Sequence, residues 1–170
     1  MKYYITFLSA IFFASICFGQ QIEFANMASI TPPGRMQKMQ HSEVLNITHQ
    51  KLGKHPSLQS FINDHPDNMY KVDNILVLVK TVPKSPSFKL ETQRKLFQRS
   101  GSTSIETLGG KKFLITFDTT LNDIAVYHFF CVNSSNTTQV GGLVTADIKD
   151  KEKAKAVIYD IVKGIKFKVQ

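Results

Sequence analysis

The sequence predicts an α+β domain. Two observations point there. Apolar runs rich in β-branched residues come in pairs joined by short polar turns, the pattern of antiparallel hairpins, and one stretch near the C-terminus repeats its apolar residues at helical spacing.

Taken in order, Gln21 to Ile30 reads as a first strand or its lead-in. It is closed by TPPG at 31–34, because proline fixes φ and removes a donor. Residues 35–39, RMQKM, return as a short second strand. Ser42 is placed to cap a helix with Glu43 in its first turn. Val44, Leu45, Thr48 and Leu52 share one face of that helix, and Gly53 stands at the C′ place. A second short helix starts at Pro56 and turns Leu58, Phe61 and Ile62 inward. NDHPDN at 63–68 is turn material.

Residues 74–79, NILVLV, form a strand covered on both faces and ended by VPKSP at 82–86. Residues 88–98 make about three helical turns, broken at Ser100-Gly101-Ser102. Leu108-Gly109-Gly110-Lys111 is a tight hairpin turn leading into the strand Phe113 to Phe117. After a turn at 121–123, Ala125 to Val132 pairs back, and NSSNTTQ joins it to the next antiparallel strand. Gly141-Gly142 in that strand marks a bulge or a close backbone approach. Ala154, Val157, Ile158, Ile161, Val162 and Ile165 then fall on one helical stripe, with Asp147 or Asp150 as cap and Gly164 as the stop. Ile165 to Phe167 trails off as an extended tail.

The first residues, MKYYITFLSAIFFASICFGQQ, carry one positive charge, an apolar stretch too short for a comfortable membrane span, and small residues before Gln20. They read as a secretory signal, residues 1–19, cut after Gly19, so the protein is exported to the periplasm or beyond. A lipoprotein reading would instead modify Cys17, but Ile16 is bulky where that motif wants a small residue. The remaining residues, 20–170, suit one domain, and no further apolar stretch is long enough to span a membrane.

The formal charge is +8. It admits an anionic envelope surface as a peripheral contact or an acidic protein as partner. No arginine–aromatic interleaving supports nucleic-acid binding. After cleavage only Cys131 remains, so no internal disulfide forms. It sits in the apolar run AVYHFFCV with no adjacent cation to lower its pKa, which makes it a core residue rather than a nucleophile.

The segments SITPPGRM, NILVLVKTVP, GGKKFLITF paired with IAVYHFFCV, GGLVTADI and the closing KEKAKAVIYDIVKGIKF together resemble the PsbP-like α/β sandwich family. The resemblance covers most of the mature chain. It implies an antiparallel β-sheet flanked by helices, with a long amphipathic C-terminal helix, and accessory or binding roles more than catalysis. Residues 41–68 depart from it as a helical insertion, which leaves open whether they pack on the domain or project as an arm.

Catalytic motifs are missing. His41, His49, His55 and His65 share a region without H-x-x-x-H or H-E-x-x-H spacing. His128 and Cys131 stand i, i+3 on a strand and so point to opposite faces. No nucleophile elbow, phosphate loop or dinucleotide fingerprint occurs. Asp118 and Asp123 flank a turn, where aspartate serves the backbone. The sequons at Asn46, Asn133 and Asn136 would accept glycans in a eukaryotic secretory pathway; if the source is bacterial, the reading preferred here, they are only polar loop and helix residues. No residue is thus assigned as catalytic, cofactor-binding or metal-binding, and no cofactor is implied. The expected function is that of an exported, non-catalytic accessory or binding protein, acting through an unknown protein partner, as an immunity protein, inhibitor or complex subunit does, or through a small ligand. The alternative is an envelope-associated hydrolase. A convergent pocket holding His128 or Asp118 in a perturbed environment would favour it.

Overall fold

The computed structural model describes residues 21–24 and 27–168. The expected signal segment, the cut after Gly19 and Cys17 lie outside the described residues. Strands β1 (Ile22–Phe24) and β2 (Ala28–Ile30) form a hairpin, and β10 (Ile165–Phe167) adds antiparallel to the other side of β2. The larger sheet has seven strands: β3 (Gln37–Lys38), β4 (Met69–Val72), β5 (Ile75–Pro83), β6 (Gly101–Leu108), β7 (Lys111–Asp118), β8 (Ile124–Val132) and β9 (Thr138–Asp147). Their order across it is β3-β4-β5-β9-β8-β7-β6, and every neighbouring pair is antiparallel. Helices α1 (His41–Leu52), α2 (Pro56–Asn63), α3 (Leu90–Phe97) and α4 (Lys151–Gly164) flank it. The chain is therefore α+β, an antiparallel sheet with helices on both faces, as the sequence predicts.

Alternation along the strands creates two cores. Val77, Val79, Phe113, Phe129, Cys131 and Val144 point to one face, where α4 and the three-stranded sheet cover them. The predicted stripe on α4 is the one that is buried. Val157, Ile158, Ile161 and Val162 are each 7% exposed or less, and each such burial stabilises by about 1.5–3 kcal/mol relative to exposure. Leu76, Leu78, Val126 and Leu143 point to the other face, against Val44 and Leu52 of α1 and Ile62 of α2. The 41–68 segment therefore packs on the sheet. Thr48 fastens its two helices, its Oγ1 lying 2.8 Å from both the Val44 carbonyl and Asn63 Oδ1.

Several local readings change. The residue at the N-cap of α1 is Gln40, and Ser42 lies inside the helix; Gly53 has φ −58°, so no left-handed cap closes it. Phe61 is 40% exposed rather than inward-facing. Asp150 occupies the N-cap place of α4 but makes no capping bond, its carboxylate instead holding Lys153 at 2.8 Å. The strands β4 and β6 were not anticipated. The first joins β5 through the two-residue turn Asp73-Asn74, with Asp73 at φ 51°. The second joins β7 through Gly109 (φ 56°) and Gly110 (φ 74°), the two positive-φ positions of a tight hairpin. The register of β9 runs unbroken through Gly141 and Gly142, so the pair is a close approach and not a bulge. The supposed tail at 165–167 is a paired strand.

Candidate functional site

On the face carrying α1, α2 and α3, the helices stand apart and leave sheet uncovered between α2 and α3. Strand pairing explains the gap. Lys80 lies opposite Gly141 and Gly141 opposite Phe130, so a row across β5, β9 and β8 has no side chain at its centre. The result is an apolar cleft of about 80 Å3 floored by Gly141, Leu78 and Leu143, with Val82 and Gln139 along one end.

Its two walls differ. On the α3 side, Phe130 is packed by Phe88 at 5.7 Å and Phe97 at 5.9 Å between ring centroids. On the α2 side, Lys80 Nζ sits 5.9 Å from the centroid of the Phe61 ring and 3.3 Å from His65 Nε2. His65 Nδ1 lies 3.0 Å from the Phe61 carbonyl. Both contacts are satisfied together when His65 is neutral with its proton on Nδ1, so that Nε2 accepts from the Lys80 ammonium. Two further ammonium protons of Lys80 stay available, since a lysine carries three. Gln139 Oε1 is buried without a hydrogen-bond partner among the described residues. An arriving donor at this end would satisfy an acceptor that is otherwise costly to bury.

His128 belongs both to the cleft and to a smaller chamber beneath α3, of about 30 Å3, lined also by Phe97, Ser100, Thr116 and Asp118. The His128 ring lies 5.0 Å from that of Phe97. Burial pushes its pKa down, and the Asp118 charge offsets this only in part. Asp118 is turned to its own backbone, accepting from Thr120 N at 2.8 Å and Thr120 Oγ1 at 2.6 Å. The perturbed environment that would favour a hydrolase is present at His128, while Asp118 is held by Thr120, and the chamber alone has room for about one water.

The other sequence candidates disperse. Cys131 is fully buried on the opposite face from His128, and burial pushes its thiol up to about 12 despite the charge of Lys111. His41 and His49 are exposed on α1, while His55 meets Asp123 at 3.0 Å. Among the described residues no three histidine, cysteine, aspartate or glutamate side chains converge on one point. Asn133 organises its own loop, its Oδ1 accepting from the backbone of Thr137 at 2.8 Å and Thr138 at 3.0 Å. Basic side chains occupy both faces of the sheet, Lys80 on one and Lys151 and Lys155 on the other.

Sequence reasoning gives Lys80 and Gln139 no role and turns Phe61 into the core instead of onto the rim. A lysine interrupting the apolar run of β5 was the available signal, because it falls on the same face as Leu78 and would otherwise be buried.

No known family model matches this sequence. No curated protein matches it either. Among solved structures it is similar to the solution structure of cyanobacterial PsbP (CyanoP) from Synechocystis sp. PCC 6803. The two share 5% identity, the match covers 58% of this chain and 72% of that one, and the TM-score is 0.39. Among the described residues no helix is long and apolar enough to cross a membrane.

Proposed function

We propose that this protein is an exported binding protein whose cleft takes one apolar side chain of a protein partner, with an acidic group of that partner beside it at Lys80. The size of the cleft carries the reading. Small-molecule sites run to about 300–1,000 Å3, whereas this one, about 80 Å3, suits a single anchoring residue of the kind that dominates protein interfaces. The half-exposed Phe61 extends the apolar rim, and the orphaned Gln139 oxygen offers an acceptor for a partner amide. The pattern of residues 1–19 supports export with cleavage after Gly19, and the PsbP-like resemblance supports an accessory role.

The test is capture from the native exported fraction with mature protein from Gln20, run in parallel with a Lys80→Glu, Phe61→Ser variant. Both positions reach solvent, so folding is preserved and is checked by thermal melting. A stoichiometric partner held by the parent and lost by the variant supports the reading. A partner retained equally by both places the interface elsewhere.

A further inference from the structure

The opposite face of the sheet carries a second groove, polar where the first is apolar. It has a volume of about 270 Å3 and runs between β6 and β7 on one side and the first turns of α4 on the other. Tyr127, Lys151, Glu152 and Lys155 are among its polar lining, together with serines and threonines of β6 and β7.

Tyr127 is the informative residue. It is only 5% exposed, its ring packs on that of Phe117 at 4.7 Å, and its hydroxyl makes no hydrogen bond among the described residues. The ring is buried, while the hydroxyl oxygen is not closed off from solvent and opens into the groove. Lys151 and Lys155 form no ion pair with a described carboxylate, although Lys155 lies 5.8 Å from the centroid of the Tyr159 ring. Glu106 lies within reach of the Lys155 charge, and its oxygens also take two hydrogen bonds. It accepts from Ser104 Oγ at 2.6 Å and from Tyr159 Oη at 2.7 Å. The groove therefore presents a phenol and a serine hydroxyl without hydrogen-bond partners among the described residues, and two ammonium groups, of which Lys155 also faces Glu106, beside the carboxylate of Glu152.

We infer that this groove binds a small oxyanion, a carboxylate or phosphate, that carries a hydroxyl donor next to its charged group. The ammonium groups of Lys151 and Lys155 meet the anionic oxygens, Tyr127 Oη donates to one of them, and Glu152 accepts from the ligand hydroxyl. The donor requirement follows from Glu152: a bare anion would face its carboxylate with nothing between them, and a neighbouring hydroxyl turns that repulsion into a hydrogen bond. This site is independent of the cleft on the other face and of the protein partner proposed for it.

Glycerol 3-phosphate and glycerate serve as phosphate and carboxylate probes, with glycerol as the uncharged control, in amide chemical-shift titrations of the mature protein. The expected result is saturable binding of at least one charged probe, with shifts confined to residues 102–104, 127 and 151–155, and none with glycerol. Lys151→Gln with Lys155→Gln should weaken binding by about tenfold or more, and Tyr127→Phe by several-fold. Lys112→Gln, on the far end of the sheet, should leave it unchanged. Tyr127→Phe removes no internal hydrogen bond and so keeps the fold. Non-saturating shifts scattered over all surface lysines, or equal affinity in the double variant, would overturn the inference. Which probe saturates separates the phosphate from the carboxylate source.

Discussion

Lys111 and Lys163 are joined across the molecule: Lys111 Nζ donates to the Lys163 carbonyl at 2.9 Å and to that of Ile165 at 3.0 Å. The first carbonyl lies in the last turn of α4, where helix carbonyls lack internal partners and the dipole favours a cation. A side chain from the β6–β7 hairpin thus performs the capping that no residue of α4 provides.

Replacing Lys111 by Met should accordingly lower stability by about 0.5–1 kcal/mol, while Arg in its place should retain most of it. Urea unfolding followed by circular dichroism measures both. Equal losses in the two variants would show that packing of the lysine stem matters more than its charge.

His128 gives a pH signature. Burial lowers its folded pKa below the ordinary histidine value of about 6.5, so the unfolded chain binds the proton more readily. The stabilisation is fully present above that unfolded value and is lost as the pH falls through the folded one. Comparing denaturant midpoints at neutral and mildly acidic pH, His128→Gln should lose part of the acid sensitivity of the parent. An unchanged difference between the two pH values assigns that sensitivity to other groups.

The two adjacent glycines of β9 should respond oppositely to alanine. A Cβ at Gly142 would stand 2.2 Å from the Leu78 carbonyl oxygen and 2.6 Å from the Phe129 ring. Backbone cannot yield as a side chain does, so Gly142→Ala should cost about 3 kcal/mol or more. At Gly141 the nearest atom is the Phe130 ring at 3.1 Å, free to shift at the rim of the cleft. Gly141→Ala should stay within about 1 kcal/mol. Melting temperatures of the pair decide this.

Cys131 should resist thiol reagents in the folded protein and react stoichiometrically once unfolded. Its exposure is nil and its pKa is pushed up to about 12, so thiolate is scarce at neutral pH. Absorbance on addition of an aromatic disulfide, with and without guanidinium, gives the answer. Fast labelling without denaturant would reveal an opening of the sheet that the packing does not suggest.

The elements most legible in sequence were those whose pattern is dictated by burial. The α4 stripe and the apolar run of β5 follow from the need to cover or be covered by the sheet. β6 was not legible because an edge strand has one neighbour and half-buried positions, so GSTSIETL carries little apolar alternation. β4 was hidden behind the polar NDHPDN segment, and its turn relies on Asp73 entering a conformation that aspartate tolerates without advertising. Neither groove could be read in advance. Each depends on strand register: Lys80, Gly141 and Phe130 come from three strands, and Tyr127 meets Lys151 and Lys155 only after β8 and α4 are laid against each other.

The pairing of Ile30 with Ile165 has a consequence for how the protein comes into being. The middle strand of the small sheet precedes the whole of the larger sheet in the sequence, and one of its two neighbours follows the whole of it. Until Ile165–Phe167 has been made, Ala28–Ile30 has no strand partner on that side. Contacts of such long sequence separation also form slowly. The small sheet can therefore close only after every strand of the larger one has been made, which leaves its side of the core the last to be covered.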